Sequence, residues 1–241
     1  MTSNPMIRNP QAQEAIMYSA PMTINGAINK TLLLTGVVVL FAFLAWGICA
    51  QGFGDRINLM LILSSIGGFI LALIAFFKPK TSPVTAPAYA ICEGILVGAI
   101  SYGYNALYDG IVVNAILITL VTLFTMLFLY KTKVIQATEK FRKIIVTATF
   151  AVAIFYIVGF IAALLHHPMT IFNGGVYGIV ISVVICAIAA FNFILDFDFI
   201  ENAQNRLPDY FEWYAGLSLL VTVIWLYFEV LRLLAQLNRR N

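Results

Sequence analysis

Long apolar runs separated by short polar breaks organise this chain. About 20 mostly apolar residues suffice for a helix to cross a bilayer, and six such segments stand out: 31–52, 57–77, 84–106, 111–130, 144–165 and 213–235. From Ile144 to Leu195 there is no Lys, Arg, Asp or Glu. That stretch is too long for one helix, and His166-His167-Pro168 followed by Asn173-Gly174-Gly175 supplies a break. A further helix is therefore predicted at about 176–198, which makes seven. The other connections are short: Gln51-Gly52-Phe53-Gly54, Lys78-Pro79-Lys80, Tyr108-Asp109-Gly110 and a polar stretch from Lys131 to Lys143. The pattern predicts an all-α polytopic membrane protein, one seven-helix transmembrane domain over 30–241 without a soluble domain. Residues 1–29 hold Asn4, Pro5, Asn9, Pro10 and Pro21 and no apolar core. They are expected to form a disordered or surface-lying cytoplasmic tail rather than a cleaved signal peptide.

Composition sharpens this. Charged residues make up 10% of the chain, against the ~25% of a soluble domain. A net charge of +3, with its basic residues scattered through short loops, sets nucleic acid aside as a partner. Cys49, Cys92 and Cys186 all lie in apolar runs without a CxxC pair, so they read as small buried hydrophobes. His166 and His167 would diverge around a helix and make a poor chelate. No resident metal or cofactor is expected. Lys and Arg accumulate on the cytoplasmic side of spans. With the amino terminus inside, that face holds Arg8, Lys30, Lys78, Lys80, Lys131, Lys133, Lys140, Arg142, Lys143 and Arg206, ten of the fourteen basic residues. Arg56, Arg232, Arg239 and Arg240 fall opposite. Arg239 and Arg240 argue against a full seventh crossing, and a re-entrant last segment would remove the conflict.

The acids inside apolar runs are the candidate chemistry, because an ionisable group in hydrocarbon costs a few kcal/mol or more and usually faces water, a cation or a proton. Glu93 lies about nine residues, or ~14 Å, into the third span, near mid-bilayer. Its plain alternative is a protonated glutamate hydrogen-bonded to a neighbouring helix. Gly94 and Gly98 follow it in a small-xxx-small pattern that lets helix backbones approach, so the third span is expected to pack in the interior. Asp196 comes about 30 Å along the sixth span, at the cytoplasmic edge; the plain alternative is an interfacial acid in water. Asp198 points to nearly the opposite side of the helix from Asp196, and shares a face with Glu201. Glu229 sits ~27 Å along the seventh span, one turn before Arg232, and a structural ion pair competes with a role in ion passage.

Several stretches resemble the Bax inhibitor-like transmembrane family, in the manner of its bacterial branch. They are LDFDFIE, with Asp196 four residues before Ile200; the terminal run Leu-Tyr-Phe-Glu-Val-Leu-Arg-Leu-Leu; SPVTAPAYAICEGILVGAIS from Ser82 to Ser101; and FIENAQNRLPDYFEWYAGL from Phe199 to Leu217. The resemblance implies a seven-helix bundle with the last helix central. It also implies a pH-sensitive calcium leak governed by two aspartates on the sixth and seventh spans. The first falls on Asp196. Aligning Leu231-Arg232 puts the second on Thr222, which is no carboxylate, so this chain departs from the two-aspartate pattern there. Asp198, Glu93 and Glu229 are then further candidates for the ion pathway or pH sensor. The family's basic latch partner at the end of the second span corresponds to Lys78 or Lys80. Any calcium would be a transient permeant at Asp196.

The leading expectation is thus a pH-gated calcium or cation leak in a bacterial inner membrane. The competing one is an adaptor that binds other membrane proteins, such as a membrane protease, without transport. An intramembrane aspartyl protease fits badly, because the acids of the last two spans differ in depth and no Gly-x-Gly-Asp pattern precedes Asp196. No enzymatic activity is expected. The bilayer is the one certain surrounding, and oligomeric state is left open.

Overall fold

A computed structural model of the chain describes residues 20–52, 54–165 and 176–239. Its helices are α1 (Ile24–Ala50), α2 (Gly54–Phe77), α3 (Ser82–Leu107), α4 (Ile111–Lys131), α5 (Glu139–Leu164), α6 (Val176–Ala203) and α7 (Phe211–Asn238), with a 3-10 turn at Pro79–Thr81 before α3. Each of the seven contains a stretch long and apolar enough to cross a membrane. The protein is all-α, as the hydropathy pattern predicts. Large side chains such as Phe43, Phe69, Phe124 and Phe150 stand fully outward, where acyl chains rather than water suit them. Threonines inside the spans satisfy themselves: Thr31, Thr35, Thr119, Thr122 and Thr125 each donate to the carbonyl four residues back, so their hydroxyls carry no unmet donor into hydrocarbon.

The last segment shows no break of the kind a re-entrant segment needs. Its 28 residues form one unbroken helix of about 42 Å, well over the ~30 Å of a hydrocarbon core. The helix α6 likewise runs past the expected end at 198 to Ala203. Asp196 therefore lies two turns inside the helix rather than near its tip. The stretch containing His166, His167 and the following glycines lies outside the described residues.

The tail expected over 1–29 needs correcting at its inner end. Residues 24–29 are already helix, and Thr23 caps it by accepting from the Gly26 N–H. Ahead of the cap, Pro21 and Pro208 form an antiparallel bridge. Met22 N–H donates to the Leu207 carbonyl at 2.8 Å, and the Asn205 and Asp209 amides donate to Met22 and Ala20. Met22 is fully buried among Phe199, Ile200, Ala203, Leu207 and Phe211. Apolar burial and backbone pairing thus hold a segment whose prolines and polar neighbours suggest disorder. Residues 1–19 lie outside the described residues.

The chain divides into two compact units, one drawn from Met1–Leu107 and Asp198–Val221, the other from Tyr108–Phe197 and Thr222–Asn241. In the first, α3 packs on α1 through the glycine pair. A Cβ added at Gly94 would meet the Val38 carbonyl oxygen at 2.7 Å, and one at Gly98 would run into the Ala42 carbonyl. Only a missing side chain permits that approach. In the second, α5 and α6 are joined by Asn192 donating to Thr149 at 2.9 Å and by the edge-to-face rings of Phe141 and Phe191. Tyr130 of α4 meets Phe197 of α6.

Candidate functional site

The second unit holds two polar centres, both on α7. The first joins Asp196 of α6 to Thr222 of α7. The Thr222 hydroxyl donates to Asp196 Oδ2 at 2.6 Å, and both side chains are buried. The plain alternative of an interfacial acid in water is not what forms. Positions 196 and 222, paired by the resemblance, do face one another, but as a carboxyl and a hydroxyl. A hydroxyl can donate to the ionised acid and accept from the protonated one, so it suits both states of Asp196 without titrating itself. A proton-sharing pair of carboxyls is unavailable at this point.

The second centre is built on Glu229, which is 2% exposed. Tyr156 of α5 donates its hydroxyl to Glu229 Oε1 at 2.5 Å, and the Trp225 indole donates to the same oxygen at 3.2 Å. Arg232 Nη1 lies 3.3 Å from Glu229 Oε2 and donates to the Tyr156 hydroxyl oxygen at 2.7 Å. The guanidinium also sits over the Tyr156 ring, 5.0 Å from its centroid. The ion pair weighed from the spacing of Glu229 and Arg232 is therefore present, with a tyrosine bridging it. The hydrogen bonds from Tyr156 and Trp225 and the opposite charge of Arg232 offset much of the cost of burying this carboxyl.

The other candidates belong to the first unit. Asp198 is half-buried on α6 and diverges from Asp196 as the helical spacing requires; its backbone carbonyl accepts from Asn202. Glu93 belongs to the first unit. Its carboxyl lies over Gly68 of α2, 3.3 Å from where a Cβ would stand, and Tyr89, one turn back, is its polar neighbour. The carboxyl thus faces protein. Lys78 precedes the 3-10 turn and Lys80 lies within it, both with exposed side chains.

Sequence reasoning missed Tyr156, Trp225 and the pair of Ser182 with Gln236, where the serine hydroxyl donates to Gln236 Oε1 at 3.1 Å. Trp225, Glu229, Arg232 and Gln236 follow a three-four spacing from Thr222 that places them on one helical face, a signal visible in the chain. Tyr156, on the apolar α5, carries no such local mark.

No curated protein and no solved structure matches the chain. A family model described as Bax inhibitor 1 like matches residues 4–239. With seven membrane-length helices, and with Asp196 facing the position that the terminal Leu-Arg alignment selects, the chain belongs to the Bax inhibitor 1 like family of membrane proteins.

Proposed function

We propose that this protein is a pH-responsive cation leak, with calcium the expected permeant, in a bacterial inner membrane with its amino terminus on the cytoplasmic side. The observation that carries the reading is a buried aspartate, Asp196, held by Thr222 on the helix facing it. A carboxyl at that depth changes its surroundings by a full charge when it gains or loses a proton. Ionised, it attracts a cation into a low-dielectric path; protonated, it does not. Oxygen ligands suit calcium, and a single carboxylate with a hydroxyl would leave the ion most of its water, which favours passage over retention. Because position 222 is a threonine, one proton rather than a shared pair sets the response.

The test is calcium flux into liposomes holding the purified protein, followed from mildly acidic to mildly alkaline pH. Flux should rise with pH, and Asp196→Asn, which keeps shape but removes the charge, should abolish that rise. A pH-independent flux, or a response that survives the substitution, would overturn the reading; complete absence of flux would favour the membrane-protein adaptor.

A further inference from the structure

A continuous polar stripe runs along α7. Thr222, Trp225, Glu229, Arg232, Gln236 and Arg239 are spaced by three and four residues, so they stay on one face of the helix and span about 26 Å. Five of the six are engaged by residues elsewhere in the same unit, Thr222 by Asp196, Glu229 and Arg232 by Tyr156, Gln236 by Ser182, and Arg239 by the Tyr108 hydroxyl at 3.2 Å, while Trp225 donates to Glu229 on the stripe itself. So many polar groups on one face of a membrane-length helix are costly unless the face has a use. Beyond Arg232, Gln236 Nε2 is buried with no hydrogen-bond partner among the described residues. An orphan amide donor at that burial is normally met by water.

We propose that Arg232, bridged by Tyr156 to Glu229, is the charge barrier of a cation path along this stripe, a second control point about 15 Å along α7 from Thr222, the partner of Asp196. The inference rests on the leak reading. A guanidinium on the stripe repels an approaching cation, and the repulsion doubles for a divalent ion. The 3.3 Å pair with Glu229 offsets part of that repulsion while fixing the guanidinium in place, and the Tyr156 hydroxyl pins both. Without the Tyr156 hydroxyl, Arg232 keeps the looser 3.3 Å pair to Glu229, and its 32% exposure gives it room to swing aside from there, which would turn the barrier into a bare Glu229 carboxylate.

Two variants test this in liposomes. Tyr156→Phe deletes only the bridging hydroxyl. The double variant Glu229→Gln with Arg232→Gln replaces the ion pair by neutral amides of similar size and strands no lone charge. Calcium and potassium flux and release of an uncharged dye are measured beside the unaltered protein and Asp196→Asn, with thermal unfolding in detergent as the fold control. Both variants should raise calcium flux several-fold and raise potassium flux less. Unchanged flux with a lowered unfolding temperature would make the trio purely structural and overturn the proposal. An equal rise in both ions and the dye would also overturn it, as a general loss of packing. The Asp196→Asn arm separates the two ideas: a pH response that survives that change sinks the leak reading, whereas unaltered variants beside a responsive parent sink only the barrier.

Discussion

The Thr222 hydroxyl donates to Asp196 Oδ2 at 2.6 Å, so a hydroxyl stands where the resemblance implies a second carboxyl. Thr222→Asp would restore the second. Two carboxyls at that separation cannot both ionise freely, and their protons leave in two macroscopic steps. Calcium flux of this variant should therefore respond to pH in two stages over a wider range, where the unaltered protein shows one. A single unshifted transition in liposome flux would contradict the site assignment.

Asp196 and Asp198 should separate cleanly. Asp196 is buried against α7, whereas Asp198 is half-exposed. Asp198→Asn should leave the pH profile of flux within error of the parent while Asp196→Asn flattens it. Equal effects from the two changes would argue for a diffuse surface potential at that end of the helix instead of a defined site.

Glycine positions on α3 should differ sharply in tolerance. Gly98→Val drives a branched side chain into the Ala42 carbonyl of α1 and should cost roughly 2 kcal/mol or more in stability. Gly103, on the same helix, has open space where a Cβ would go. Gly103→Ala should be neutral or stabilising by up to about 1 kcal/mol through helix propensity. Thermal unfolding of the two proteins in detergent measures the contrast.

Glu212 caps α1 from the far end of the chain: its Oε1 accepts from the Thr23 N–H at 3.0 Å and from the Thr23 hydroxyl at 2.8 Å. Glu212→Ala should destabilise the protein by about 1 kcal/mol, the usual cost of a lost cap, with no change in the pH profile of any flux. Loss of more than a few times that amount would mean that Glu212 also supports Met22 and its apolar cluster.

The seven helices were legible because hydrocarbon imposes a minimum length and penalises charge, so hydropathy alone draws them. The α1–α3 contact was legible for a related reason, since Gly94 and Gly98 leave a groove that only another backbone fills. The Asp196–Thr222 pairing needed the alignment of the terminal Leu-Arg pair, and the fold supplied the geometry. Tyr156 stayed hidden because it is one of eleven tyrosines and its partner is 73 residues away. The Thr23–Glu212 cap was equally silent, its members being 189 positions apart. Contacts at such separations are chosen by the packed fold and leave no periodic trace.

That separation has a consequence for biosynthesis. The pairing of Met22 with Leu207 and Asn205, like the cap from Glu212, cannot form until the turn after α6 has been made. During synthesis α1 is produced ahead of α2 to α7; Thr23 can cap the Gly26 amide at once, but the Met22 and Thr23 amides have only water or lipid head groups to meet them while some 180 residues follow. Closing a loop of that length is entropically slow, so docking of the amino-terminal strap belongs among the last steps of assembly. A chain truncated before Leu207 would insert its early spans and leave the first of them unfastened.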